Sequence, residues 1–352
     1  MRGTGGPAEN RAETQGGTIM TEHTRRGVLA GAASATAAAM LTPFAASSPA
    51  FATAPPAGKQ APGFYRYKVG GFEISAVTDG AATFPLPEKF VQNHSKAEVE
   101  TALAAAYQPA GTVTVPFTPI VVNTGSKLVV IDTGYGPEMH VKTKGRVGQL
   151  PANLAAAGID PKAVDTVIIS HMHLDHVSGL RTPEGGLAFP NAEIMVPTTD
   201  WAYWMSDAEM GKLPEGYTKS VYPGIRKVFA GLEKKVTKYD WGKEIVPGIT
   251  SISTPGHTPG HTSFVVASGS AKVLVQSDVT NIPHLFLQHP TWQVMYDVDP
   301  LMAADTRKKF YDMAAAEKAL VQGFHFPFPS AGHVEKVGTE YRLVPVAWNP
   351  VI

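Results

Sequence analysis

Six consecutive residues, His171-Met172-His173-Leu174-Asp175-His176, carry four side chains able to bind a metal. Three imidazoles and one carboxylate suit a borderline divalent cation such as zinc, which takes nitrogen and oxygen donors readily. The run follows Val167-Ile168-Ile169-Ser170, whose apolar, β-branched residues read as a buried strand. Donors delivered from the end of a rigid strand keep their geometry while the loop beyond stays open to a substrate. His-x-His-x-Asp-His is a specific pattern, as a lone His-x-His is not. The bland alternative is a polar turn that happens to be rich in histidine.

Further donors stand at the ends of later segments. His257 sits in Thr254-Pro255-Gly256-His257-Thr258-Pro259-Gly260-His261-Thr262, where glycines and prolines set a defined loop. Asp278 closes the strand-like Ala271 to Gln276, and His333 closes Phe328-Pro329-Ser330-Ala331-Gly332-His333. Each is weak alone, since a single histidine after a strand is more often a surface or hydrogen-bonded core residue. Taken with the first cluster they supply roughly the donor number that a dinuclear centre with a bridging carboxylate needs. His94, His140, His284, His289 and His325 have no motif behind them and read as ordinary histidines.

The elements that must position these donors follow from period and punctuation. Phe64 to Val77 reads as a hairpin turning at Gly70-Gly71. Lys96 to Tyr107 is helical in pattern, with Ser95 as its cap. Val113 to Val122 and Lys127 to Ile131 read as strands, the second closing on Asp132-Thr133-Gly134. Val147 to Ala157 reads as a short helix, Ala192 to Val196 as a strand, and a helix opens near Thr198 or Thr199. Val246 to Ser253, Thr262 to Ala267, Ala271 to Gln276 and Tyr341 to Val346 are further strands. Asp305 to Val321 is the longest helical pattern. Strands come in groups between helices, without regular alternation, which favours two sheets sandwiched between helices in a single domain.

Composition narrows the function. Basic and acidic residues balance at 30 each, so no bulk field points to nucleic acid or anionic lipid. There is no cysteine, which excludes disulfides, thiolate nucleophiles and Cys-held zinc. No Gly-x-Ser-x-Gly elbow offers a serine nucleophile. Arg25-Arg26, a weakly hydrophobic Ala/Gly stretch and the small-x-small site Ser48 to Ala52 read as a twin-arginine export signal over 1–52. Met20 is an alternative start, with 1–19 then upstream sequence. The stretch is too poor in Leu, Ile and Val for a stable membrane anchor. Residues 53–63 read as a linker and 64–352 as one folded domain, in a mature protein expected to be periplasmic or secreted.

His-x-His-x-Asp-His, followed in order by His257, Asp278 and His333, resembles the metallo-β-lactamase superfamily, whose architecture is an α+β, αββα sandwich. Phe64-Tyr65-Arg66, Asn123-Thr124-Gly125-Ser126-Lys127, Asp132-Thr133-Gly134, Ala188-Phe189-Pro190-Asn191-Ala192, Pro255 to Thr262 and Tyr341 to Val346 are similar to the methyl parathion hydrolase group. That group includes phosphotriesterases and aryl-lactone hydrolases. The resemblance implies one metal on His171, His173 and His257, a second on Asp175, His176 and His333, and Asp278 bridging them. Asp132 would orient ligands, and His261 would stabilise its loop without touching metal. Two divalent ions are implied: zinc, with manganese, cobalt or iron also compatible with the donors. A homodimer is implied too.

The chemistry expected of such a centre is hydrolysis by a metal-bridging hydroxide, with Asp175 passing a proton to the leaving group. Lactones, esters or phosphotriesters are the expected substrates. The alternatives are a β-lactamase or thioesterase on the same centre, or a non-catalytic periplasmic metal-binding module. Trp204 approximately matches a tryptophan of the aromatic pocket in the resembled group. Trp201, Phe117, Tyr135 and Met139 are further pocket candidates, with plain core packing the alternative for the two tryptophans. Acyl-homoserine lactonases of this fold often carry a tyrosine three residues beyond the bridging aspartate, where this chain has Asn281.

Overall fold

Alternating and continuous runs of Val and Ile build two sheets, and a computed structural model describes them over residues 56–58 and 60–352. The export signal, the alternative start at Met20 and the cleavage site before Thr53 lie outside the described residues. So do the first residues of the linker. Residues 60–352 form one compact unit.

The first sheet is ordered β1 (Phe64–Val69), β2 (Phe72–Val77), β5 (Ile120–Asn123), β6 (Leu128–Ile131), β7 (Thr166–Ile168), β8 (Glu193–Pro197) and β9 (Val236–Tyr239). The strands β3 (Gly80–Pro85) and β4 (Thr112–Phe117) pair separately. The second sheet runs β10 (Glu244–Val246), β11 (Ile249–Ser253), β12 (Thr262–Ser268), β13 (Ala271–Ser277), β14 (Leu320–Gly323), β15 (Ala331–Val337) and β16 (Glu340–Pro345). Between the sheets lie Ile74, Val122, Val129, Ile131 and Ile168 from one, with Ile249, Phe264, Val266, Val273 and Val275 from the other. Burying each such side chain contributes about 1.5–3 kcal/mol.

Each sheet's outer face is covered by helices. The helices Leu150–Ala156, Thr198–Trp204 and Tyr217–Phe229 pack Leu154, Trp204, Tyr222, Ile225 and Phe229 against Val121, Val130, Val167 and Val196. The helix Pro300–Ala316 packs Phe310, Tyr311 and Ala314 against Leu274 and Val321. These layers make the αββα sandwich.

Several expected elements divide. The strand expected over Val113 to Val122 breaks at Thr118-Pro119, because proline has no N–H to continue a ladder. The strand expected over Val246 to Ser253 is a hairpin turning at Gly248, whose φ of 82° is the left-handed region glycine tolerates. The helix expected over Asp305 to Val321 starts earlier, at Pro300 behind the Asp299 cap, and ends at Ala316. Its supposed last turn is the separate strand β14, and that difference moves a metal-site residue.

Candidate metal centre

The site is assembled from strand ends. β6, β7 and β8 run parallel, as do β13 and β14, so their carboxyl ends lie on one edge of the sandwich. Asp132 follows β6, the His171–His176 loop follows β7, Asp278 follows β13, and Phe324-His325 follows β14. His257 enters from the loop between β11 and β12. Asp132 and Ser277 hold positive φ angles of 61° and 50°. Non-glycine residues reach that region at a cost of about 1–3 kcal/mol, a strain that clusters at functional sites.

Two groups of donors result. His171, His173 and His257 form one; Asp175, His176, Asp278 and His325 form the other. In the first, His173 Nδ1 is 3.2 Å from His171 Nε2 and 2.9 Å from His257 Nε2. In the second, Asp278 Oδ2 is 2.9 Å from His325 Nε2, and Asp278 Oδ1 is 3.3 Å from His176 Nε2. Asp175 Oδ2 is 3.5 Å from both His176 Nε2 and His325 Nε2. Asp278 Oδ2 also stands 3.3 Å from His257 Nε2, so this carboxylate lies between the groups.

The outer nitrogens decide which lone pairs face inward. His171 Nδ1 is 3.1 Å from Ser170 Oγ, whose hydroxyl donates to Asp132 Oδ2 at 2.8 Å. His176 Nδ1 donates to the same Asp132 oxygen at 2.9 Å, and Ser170 N donates to Asp132 Oδ1 at 2.8 Å. Asp132 thus orients one imidazole of each group. His257 Nδ1 donates to Asp297 Oδ1 at 2.8 Å. His325 Nδ1 donates to Pro116 O at 2.7 Å. Each leaves its Nε2 as an acceptor turned inward.

Such a cluster needs a cation. In the first group, three imidazole nitrogens, those of His171, His173 and His257, converge with His173 Nδ1 within 3.2 Å of the other two, a crowding of nitrogen donors that one cation satisfies at once. In the second, His176 Nε2 and Asp278 Oδ1 are buried with no hydrogen-bond partner among the described residues. Buried polar groups without partners and buried carboxylates are stable only when paired or metal-bound. The donor set, imidazole and carboxylate without thiolate, fits two zinc-like ions.

Electrostatics agree. Burial, reinforced by the neighbouring histidines, drives His171 and His173 well below the ordinary imidazole value. Burial acts the same way on His176 and His257, but carboxylates outweigh it. Asp278, Asp175 and Asp132 raise His176, and Asp278 and Asp297 push His257 up to about 9. Burial alone would raise Asp278, yet the surrounding histidines hold it well below the usual carboxylate range.

Surrounding contacts lock the loops. His261 is driven down to about 3 by burial. Its Nδ1 donates to Thr254 O at 3.0 Å and its Nε2 accepts from Asp278 N at 3.0 Å. Asp200 accepts from Met172 N at 2.7 Å and Gly260 N at 2.8 Å, tying the first cluster to the His257 loop. A Cβ on Gly260 would stand 2.2 Å from Asp200 N, so no larger residue fits that approach.

Four expected placements change. His333 joins neither donor group. It is an exposed residue of β15, between buried Gly332 and Val334, and its Nδ1 donates towards the Lys318 and Ala319 carbonyls, each at 3.1 Å. Strand alternation turns it to solvent. His325, read from sequence as ordinary, occupies the corresponding place. The signal was a strand ending at Gly323, hidden by the overextended helix. Trp204 is no wall of an open pocket: it is fully buried, its Nε1 donates to Asp200 Oδ2 at 3.2 Å, and its ring backs His173 with centroids 5.5 Å apart. Trp201 packs on Phe229 in the outer helical layer, under the Lys238 ammonium.

Aromatic rings flank the donors, and Phe117 is a buried one. Phe117 packs edge-on to His325 at 5.4 Å and to Tyr135 at 4.9 Å, and Met139 packs onto the same cluster. Tyr217 meets His173 at 5.8 Å and Tyr296 at 4.8 Å, two tyrosines that sequence reasoning missed. Burial raises the Tyr135 and Tyr217 phenols well above their ordinary value, and Asp175 and Asp278 add to it. Both phenols stay protonated donors.

Fold and site together define a metal-dependent hydrolase, and the comparisons place it. A family model described as the metallo-beta-lactamase superfamily matches residues 118–321, more than half of the chain, and the chain belongs to that superfamily. It is a dinuclear metal hydrolase. The N-acyl homoserine lactonase AiiA of Bacillus thuringiensis subsp. kurstaki is 25% identical over 238 residues, covering 63% of this chain and 85% of that protein. The N-acyl homoserine lactonase AttM of Agrobacterium fabrum is 31% identical over 139 residues, covering 38% and 46%. Among solved structures, the hydrolase AbOPH superposes with a TM-score of 0.75 at 28% identity, covering 83% of this chain and 100% of that one. AidC, a dizinc quorum-quenching lactonase in complex with a product, gives 0.76 at 26%, covering 82% and 98%.

Proposed function

We propose that the protein hydrolyses lactones and related esters at its dinuclear centre. The observation that carries this is the position of Asp278, with one oxygen near both His257 and His325 and the other near His176. Bound there, two divalent cations supply Lewis acidity towards a carbonyl oxygen and make water a nucleophile near neutral pH. The chain's own residues hold the donors, exclude water and handle the proton. Asp175 is the most exposed of the seven donors, at 7 %. Its carboxylate takes the proton of the attacking water and returns it to the leaving oxygen. The protonated Tyr135 and Tyr217 hydroxyls donate to the substrate, and the half-buried Tyr217 and Tyr296 rings hold its apolar part.

The lactonase relatives support this substrate class. The aromatic rings beside the donors also support a second reading, aryl phosphotriesters. Asn281 stands three residues beyond Asp278, buried and with its Oδ1 unpartnered among the described residues. Export through the twin-arginine signal and assembly as a homodimer complete the proposal, and cell fractionation and light scattering test them. Among the described residues no helix is long and apolar enough to cross a membrane.

The deciding experiment measures turnover of acyl and aryl lactones, aryl phosphotriesters and β-lactams by the protein as isolated, after chelation, and after zinc or manganese is restored. Metal-restored lactone cleavage that outpaces the other panels supports the proposal. Faster phosphotriester or β-lactam cleavage replaces the substrate class, and no metal-restored turnover overturns the enzymatic reading.

A further inference from the structure

The helix Pro300–Ala316 touches the loops that carry donors of both groups. At its start, Val298 N donates to His257 O at 3.0 Å and Asp299 N to Gly256 O at 2.9 Å. Thr306 Oγ1 donates to Pro255 O at 2.6 Å. A Cβ on Gly256 would stand 2.3 Å from Ala303 N, so this loop rests directly on the helix.

Beside Thr306 lies Arg307, a guanidinium 1 % exposed on a face otherwise made of Ala303, Ala304, Phe310, Tyr311 and Ala314. An apolar side chain is the default there, since burying a charge costs several kcal/mol before compensation. Arg307 Nε donates to Val279 O at 3.0 Å, the carbonyl next to Asp278. Its Nη1 donates to Pro290 O at 2.9 Å and Trp292 O at 2.8 Å. Its Nη2 stands 3.9 Å from Asp297 Oδ2. That separation is too long for a hydrogen bond, and Asp297 Oδ2 has no partner among the described residues. The guanidinium balances the Asp297 charge without taking its hydrogen bond, which goes wholly to His257 Nδ1. One side chain therefore links the loop of Asp278 to the carboxylate that orients His257.

We propose that Arg307 is a positioning residue for the metal centre, fixing His257 through Asp297 and Asp278 through Val279, so that the His171–His173–His257 group keeps its spacing and affinity. The inference rests on the dinuclear reading above. The planar fork matters as well as the charge, because three carbonyls are met in fixed directions while the charge faces Asp297.

Calorimetric titration of the chelated full-length protein with zinc ions tests it. The native chain is expected to take up two ions, with His257→Ala marking the step that belongs to the first group. Arg307→Met weakens that step about 10- to 100-fold and changes the other less, as loss of a ligand-orienting partner does. Asp297→Asn, close in shape, weakens the same step, and Arg307→Lys recovers part of the affinity. Melting temperature and circular dichroism establish that each variant is folded. If Arg307→Met does not fold, Asp297→Asn and Arg307→Lys decide. Native affinity at both steps in the folded variants overturns the inference while leaving the metal centre intact. Fewer than two ions on the native chain overturns the dinuclear reading and the inference with it.

Discussion

His325 Nε2 lies 2.9 Å from Asp278 Oδ2, while His333 directs its imidazole away, towards the Lys318 and Ala319 carbonyls. The two histidines are therefore separable by experiment. His325→Ala is expected to lower metal content from two ions to one and to abolish most hydrolysis. His333→Ala should leave metal content and turnover close to native. Metal analysis by mass spectrometry checks both, and loss of an ion on changing His333 instead would reverse the assignment.

Asp132 serves an imidazole of each group, through Ser170 for His171 and directly for His176. Asn tolerates the left-handed backbone that Asp132 adopts, so Asp132→Asn tests the carboxylate with little backbone penalty. Both ions should then bind about 10- to 100-fold more weakly in competition with a chelator. A change confined to one ion would mean that Asp132 supports only one group.

His257 links metal affinity to pH. In the metal-free protein burial opposes its charge, but Asp278 and Asp297 outweigh burial and hold it up to about 9, against an ordinary value of 6.5. A folded-state value raised in this way stabilises the metal-free fold below pH 6.5, and that contribution is lost as pH rises through about 9. A cation must displace the proton, so zinc affinity should rise over the same window, by up to about tenfold per pH unit for a single proton. Thermal melts of chelated protein and zinc titrations across that range measure the two trends. Affinity independent of pH would contradict the assignment.

Tyr217 and Trp204, which both pack against His173, should respond differently. Tyr217→Phe removes only a hydroxyl, and is expected to slow lactone turnover several-fold with metal content and melting temperature unchanged. Trp204→Ala deletes a fully buried ring that backs His173, and should cost about 3–5 kcal/mol of stability and weaken metal binding. Steady-state kinetics beside denaturant unfolding separate them. A pure KM effect from Trp204→Ala in a fully stable protein would return that residue to the pocket wall.

The chemistry was legible in the sequence because its carriers are local. His171, His173, Asp175 and His176 fall within one turn-length segment, and the β-branched run before them fixes where they are presented. The strand ends before Asp132 and Asp278 could also be read from alternation and from the residues that stop it. What tertiary structure alone decided are relationships across layers. Helical and strand patterns merge where Glu317 to Val321 is short and apolar at one end, so only the parallel pairing of β14 with β13 shows that the chain there is a strand delivering His325. Whether Trp204 faces substrate or protein depends on the helix Tyr217–Phe229 packed over it, and no local period encodes that contact. Asp297 and Arg307 likewise carry no motif, since their roles arise from the partners that folding brings within reach. Local sequence determines which donors a strand end presents; packing between distant segments determines which of them meet.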